Sequence, residues 1–226
     1  MIDNTPIIQA LTEKASLKQA AYRKLHDVFK KFKSELQALA QDTAGKMSTI
    51  DPNIEVHFKE RGAFEGQIKF SGDTLCFMMH TNIFTFHPDH HIMKSNYIKQ
   101  DPSRAYCGCI MVYNFLSDTL KYNRMNDAAY LISRIFINKE GHFFAEGMRQ
   151  FSFLFHHFSA KPIEAEDIQK IITLNILYAI DFDLLAPPAE QIKEISLIQK
   201  IQSSGNAALK TGKRLGFSYN IEDHAD

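Results

Sequence analysis

Histidine is the residue type whose spacing most suggests chemistry in this chain. His80, His87, His90 and His91 lie within 12 residues of one another. The cysteines that strand pairing would bring near them are Cys76, Cys107 and Cys109. Imidazole and thiolate are the usual ligands of zinc. The spacing matches no established zinc-binding pattern, so a histidine-rich surface loop is the preferred interpretation, and a metal site on residues 80–91 is the alternative.

Arg134 is a second candidate, because it interrupts the apolar strand predicted over residues 130–137. A three-residue turn at 139–141 would place Arg134 opposite Glu146. The strand is apolar on both faces, which predicts that both faces are covered and that Arg134 is partly withdrawn from water. A structural ion pair is therefore the preferred interpretation. The alternative is that Arg134, Glu146 and Arg149 bind a carboxylate or phosphate, which a guanidinium matches.

The polar stretch 121–127 is a third candidate. Arg124 and Asn126 lie in it between two apolar segments and would suit the rim of a ligand site. Asn and Asp are also the residues that turns prefer, because their side chains mimic backbone hydrogen bonds. We therefore expect a turn, with ligand binding by Arg124 and Asn126 as the alternative.

The first forty residues carry an apolar repeat with alternating spacings of three and four. Such a repeat predicts one long helix with a narrow apolar seam. Gly45 suits a C-terminal cap, so the helix should end near it. Lys18 alone interrupts the repeat, whereas Arg23, Lys24, Lys30 and Lys31 fall opposite the seam, which favours a solvated face over a nucleic-acid stripe. The seam consists of Ile8, Leu11, Ala15, Tyr22, Leu25, Phe29, Phe32, Leu36 and Leu39.

The remaining chain divides into a strand-rich middle and a helical end. Residues 54–86 alternate between apolar and polar with short turns, which predicts an antiparallel meander. Apolar strands follow at 107–116, 128–137 and 142–145, and helices are predicted at 164–180 and 189–202. The fold class is α+β, with a mostly antiparallel sheet of five to seven strands, a long N-terminal helix and a C-terminal helical pair. The expected divisions are 1–48, 49–160 and 161–226.

Composition narrows the function classes. Lys+Arg and Asp+Glu are 26 each, so no net field favours nucleic acid or an acidic membrane. The three cysteines do not form a disulfide framework, and we find neither a leader nor an apolar run of membrane-spanning length. These features predict a cytoplasmic protein. No phosphate loop, nucleophile elbow or metalloprotease motif is present, which leans away from an enzyme and implies no cofactor.

A sheet flanked by long terminal helices resembles the layout of GAF and PAS sensor domains. The resemblance is architectural and implies dimerisation through the terminal helices. The sequence thus predicts a binding or assembly protein that self-associates and takes an unknown small molecule or protein partner. The alternative is a metal-dependent hydrolase that uses the histidines of residues 80–91.

Overall fold

The N-terminal helix is longer than the sequence predicts. In the computed structural model, which describes residues 3–148, 150–183, 186, 189, 193, 194, 196 and 197, helix α1 (Thr5–Ala10) continues through a π-helical segment (Leu11–Ala15) into α2 (Ser16–Ile50). The predicted end near Gly45 is wrong. The helix ends at Ile50, and the backbone of Asp51 is extended because a residue that precedes proline, here Pro52, is disfavoured in helical conformation.

Helix α2 lies on the sheet of its own chain. Leu25, Phe29, Phe32 and Leu36 have no exposed surface, and α2 contacts the first, fourth and fifth strands. The seam is therefore covered within the chain between residues 21 and 40. This burial supplies most of the helix stability, as is usual for amphipathic helices.

The sheet has six antiparallel strands in chain order. It confirms the predicted α+β class and the strand number. The predicted strand at 83–86 is reduced to a single bridge between Phe84 and Cys107. The strands are β1 (Val56–Glu60), β2 (Glu65–Phe70), β3 (Asp73–Met79), β4 (Cys107–Leu116), β5 (Tyr130–Asn138) and β6 (Phe143–Gly147).

The two faces of the sheet are covered differently. The inner face packs on α2 and on the last described helix, α6 (Ala165–Ile180), and forms the main core. The outer face is covered by residues 84–106, the covering segment. Its short helices are a 3₁₀ helix (His91–Lys94), α3 (Asn96–Gln100) and a second 3₁₀ helix (Pro102–Ala105). Beneath them lie Cys107, Cys109, Phe136 and Phe144.

Two further short helices, α4 (Ser117–Lys121) and α5 (Phe151–Leu154), complete the described elements. Residues 1–180 form one compact unit, and residues 181–226 form a second. The predicted helix at 189–202 lies almost entirely outside the described residues. Within the described part of the chain, every helix is too short or too polar to cross a bilayer.

Candidate functional site

A row of directly paired residues crosses the outer face of the sheet. Glu65 pairs with Met78, Met78 with Met111, Met111 with Arg134, and Arg134 with Glu146. Side chains of directly paired residues lie on the same face. The row runs beside the covering segment. Its middle is apolar, with Met78 and Met111, and the end on β5 and β6 is charged, with Arg134 and Glu146.

Arg134 confirms the predicted pairing and is partly withdrawn from water, as expected. Its guanidinium forms an ion pair with Glu146, and it lies 5.3 Å from the ring of Phe136. Its side chain is nevertheless 47% exposed. The expectation that both faces of β5 are covered fails at Arg134, because the apolar contacts of the covering segment lie over Phe136 and Phe144, two residue pairs further along the strands.

Next to Arg134 the sheet presents an exposed apolar patch. Met78, Met111 and Tyr113 are half-buried, and Leu131 is 41% exposed. A bulge between Val112 and Tyr113 sets Leu131 opposite Tyr113 and on the outer face. The outer-face patch is defined by Met78, Met111, Tyr113, Leu131 and Arg134.

Glu146 connects this patch to a cluster of histidines. One of its oxygens pairs with Arg134, and the other accepts a hydrogen bond from Nε2 of His90 at 3.0 Å. The ring of His90 lies 4.5 Å from that of His91, which stacks on His156 with centroids 3.9 Å apart. His157 lies 4.9 Å from His156. The histidine cluster is defined as His90, His91, His156 and His157.

The sequence prediction identified half of this cluster. His80 instead packs on Phe84, and His87 is 78% exposed beside Asp89. His156 and His157 were missed. The sequence does show His156-His157 as a second pair of adjacent histidines. This pair is so far along the chain from His90 and His91 that the sequence does not indicate the contact between them.

The histidines are not arranged as a metal site. In the described ranges, no three or more His, Cys, Asp or Glu side chains are positioned to hold a metal ion. The reason is visible in the rings: His91 and His156 are parallel within 3°. A metal lies in the plane of an imidazole that binds it, so two stacked rings do not share one ion. Both nitrogens of His90 are also engaged, by Glu146 and by the Ile92 N–H.

The cysteines belong to the core. Cys76, Cys107 and Cys109 are free and buried. Burial raises the pKa of Cys76 to about 12 and that of Cys109 to about 12. Burial also raises the pKa of Cys107. The thiolate is the nucleophile and the metal ligand, so these thiols are inert in the folded protein.

The other predicted ligand residues lie elsewhere. Arg124 lies 3.9 Å from both Asp118 and Asp127, in the connection between α4 and β5. Asn126 is exposed in the same connection, which is a turn as expected. Arg124 and Asn126 thus precede the first residue of β5, whereas Arg134 lies in the middle of that strand. Arg149 falls outside the described residues.

A polar network missed by sequence reasoning fastens the covering segment to the β5–β6 turn. Nε of Arg104 donates to both oxygens of Glu140 at 3.1 Å, and the Tyr97 hydroxyl donates to Glu140 at 2.8 Å. Asn138 donates to the Tyr97 hydroxyl at 2.9 Å. Burial, together with the adjacent Glu140, raises the pKa of Tyr97 to about 12. Because its members satisfy one another, we assign the network to structure.

Comparison with protein-family models, curated proteins and solved structures found no significant match. The chemistry of the site is therefore the basis for the function proposed below.

Proposed function

We propose that this protein is a non-catalytic binding protein whose ligand site is the outer-face patch. The ligand class is a molecule with an apolar or aromatic body and one anionic group, such as a carboxylate or phosphate. The observation that carries the proposal is the exposure of Arg134 at the end of an apolar row. The Arg134 side chain is 47% exposed and the neighbouring Leu131 is 41% exposed.

The chemistry of the patch supports this class of ligand. Thioether and aromatic side chains adapt to flat apolar bodies, and Met111 and Tyr113 supply both. Glu146 holds one nitrogen of Arg134, and a guanidinium has five N–H donors in all. An ion pair that orients arginine in this way leaves a charged fork for an anion.

Binding of 8-anilinonaphthalene-1-sulfonate tests the proposal, since the dye has an aromatic body and one anionic group. We expect saturable fluorescence enhancement that weakens about tenfold or more in Arg134→Met, because a charge-assisted contact contributes roughly 1.5–3 kcal/mol. The fold should survive, since an exposed ion pair contributes only about 0–1 kcal/mol to stability.

Lys59→Met is the matched control. Lys59 is an exposed cation on the outer face of the edge strand β1, away from Arg134. It should leave dye binding unchanged. Equal dye binding by the wild type and Arg134→Met, or equal loss in both variants, would rule out the patch as the site.

A second element of the proposal is self-association through the N-terminal helix. Ile7, Ile8 and Leu11 are 60%, 54% and 57% exposed. They continue the seam that α2 buries on its own sheet. An apolar seam of this kind is typical of helix–helix contacts, and a second copy of the chain is the partner we propose for it.

A further inference from the structure

Two separate segments meet at the histidine cluster. His90 and His91 begin the first 3₁₀ helix of the covering segment. His156 belongs to residues 155–159, the edge segment, which lies along the outer edge of β6. There the Ala145 N–H donates to the Phe155 carbonyl at 2.9 Å, and the Ser159 N–H donates to the Phe143 carbonyl at 2.7 Å.

The contact between the segments is made by two imidazole rings. The rings of His91 and His156 are stacked at 3.9 Å with an interplanar angle of 3°. Nε2 of His91 also donates to the carbonyl of His156 at 2.8 Å. Two neutral rings attract each other at this distance. Two imidazolium rings would place like charges face to face, which is repulsive at any protein dielectric.

The stacked rings have little negative charge near them, and His156 itself is exposed. The titratable groups that act on His156 are His91, His90, His157 and Glu146, and Arg134 is bound to Glu146. Glu146 is the acid among them, and Arg134 and His90 already occupy its oxygens. Desolvation lowers the pKa of His156, and the neighbouring His91, His157 and His90 lower it further, against an opposing effect of Glu146.

We propose that His91 and His156 form a pH-sensitive latch, which fastens the edge segment to the covering segment while the ring of His156 is neutral and releases it when that ring is protonated. Phe144 lies beneath the latch, with its ring centroid 6.4 Å from that of His91. Release would therefore loosen the cover over this part of the outer core. The proposal is independent of the ligand site.

The direction of the pH dependence follows from the lowered pKa of His156. The neutral His156 ring stabilises the latched state. This stabilisation is fully present above the ordinary histidine pKa of about 6.5 and is lost as the pH falls through the folded-state pKa of His156. Amide exchange of Ala145 and Ser159, measured by NMR on the full chain, reports whether the edge segment stays bound to β6. We expect their protection factors to fall between about pH 7.5 and pH 5.5, because the released form binds a proton more tightly than the latched form.

His156→Phe separates charge from packing, since phenylalanine keeps an aromatic ring over His91 and takes no proton. Most of the acid-induced loss of protection should disappear in this variant. His57→Phe, the same change on an exposed residue of β1, should behave as wild type. Equal protection at both pH values in the wild type, or an undiminished loss in His156→Phe, would overturn the latch.

Direct titration of the wild-type imidazole resonances provides a test that needs no variant. The latch requires His156 to titrate below the ordinary histidine value. A His156 resonance that titrates at or above that value would refute the proposal even where His156→Phe failed to fold.

Discussion

The ionisation and the solvent exposure of single residues in this protein depend on whether other segments cover them. Cys76 and Cys109 each have a pKa near 12 because burial disfavours the thiolate. Arg134 lies two residue pairs outside the cover, and so it keeps its charge in contact with water. The same sheet face therefore carries inert thiols and an accessible guanidinium.

The thiols provide a prediction at this scale. In the native protein, Ellman's reagent at about pH 8 should react with none of the three cysteines within minutes, because the reactive thiolate is scarce and inaccessible. In concentrated guanidinium all three should react at once. The absorbance of the released nitrothiobenzoate gives the count. One rapidly reacting thiol in the native protein would show that the outer face is covered less than the structure indicates.

At the scale of elements, the position of α2 is set by Gly108. A Cβ at this position in β4 would lie 2.5 Å from Cδ2 and 2.8 Å from Cβ of Leu25. Real carbon atoms do not approach so closely, so any side chain there moves the helix or the strand. The absence of a side chain at one residue thus brings the long helix onto the centre of the sheet.

Gly108→Ala should destabilise the fold by roughly 1–3 kcal/mol, the usual cost of overpacking a core. Urea unfolding measures the change. Gly45→Ala is the matched control, because a Cβ at Gly45 meets nothing within 4 Å and the residue lies in a helix. The control should stabilise the protein by about 0.5–1 kcal/mol. Equal stability of the two variants would mean that α2 does not rest on β4.

For the whole molecule, the important feature is the part of the N-terminal helix that precedes its buried face. The first buried residue is Ala21, so residues 5–20 extend about 24 Å at 1.5 Å per residue before the core begins. Isolated helices of this length are marginally stable in water. The apolar residues Ile7, Ile8 and Leu11 therefore favour an additional packing partner, which we propose to be a second copy.

The prediction at this scale concerns mass in solution. Light scattering should give a dimer for the wild type and a monomer for Leu11→Asp, because a charge in a buried seam is costly. The change should leave the fold intact, since Leu11 is 57% exposed in the single chain. Thr12→Asp, on the same helix and also exposed, is the control and should remain dimeric. A monomeric wild type, or a dimer in Leu11→Asp, contradicts self-association through this helix.

The sequence by itself determined the features that depend on local periodicity and short turns. The spacing of three and four predicted the first helix, because it gathers Leu25, Phe29 and Phe32 on one side. Alternation with tight turns predicted the antiparallel meander. The length of the turn at 139–141 fixed the register of β5 and β6, so the pairing of Arg134 with Glu146 was predictable as well.

Only the tertiary structure decided what depends on distant segments. The covering segment leaves Arg134 exposed, and no local pattern states where such a segment stops. His91 meets His156 from 65 positions away along the chain, because the edge segment pairs with β6 while the covering segment crosses the outer face. Neither placement has a periodic signature, since each follows from long-range packing. The candidate site therefore depends on how distant segments cover the outer face of the sheet, which the sequence alone does not indicate.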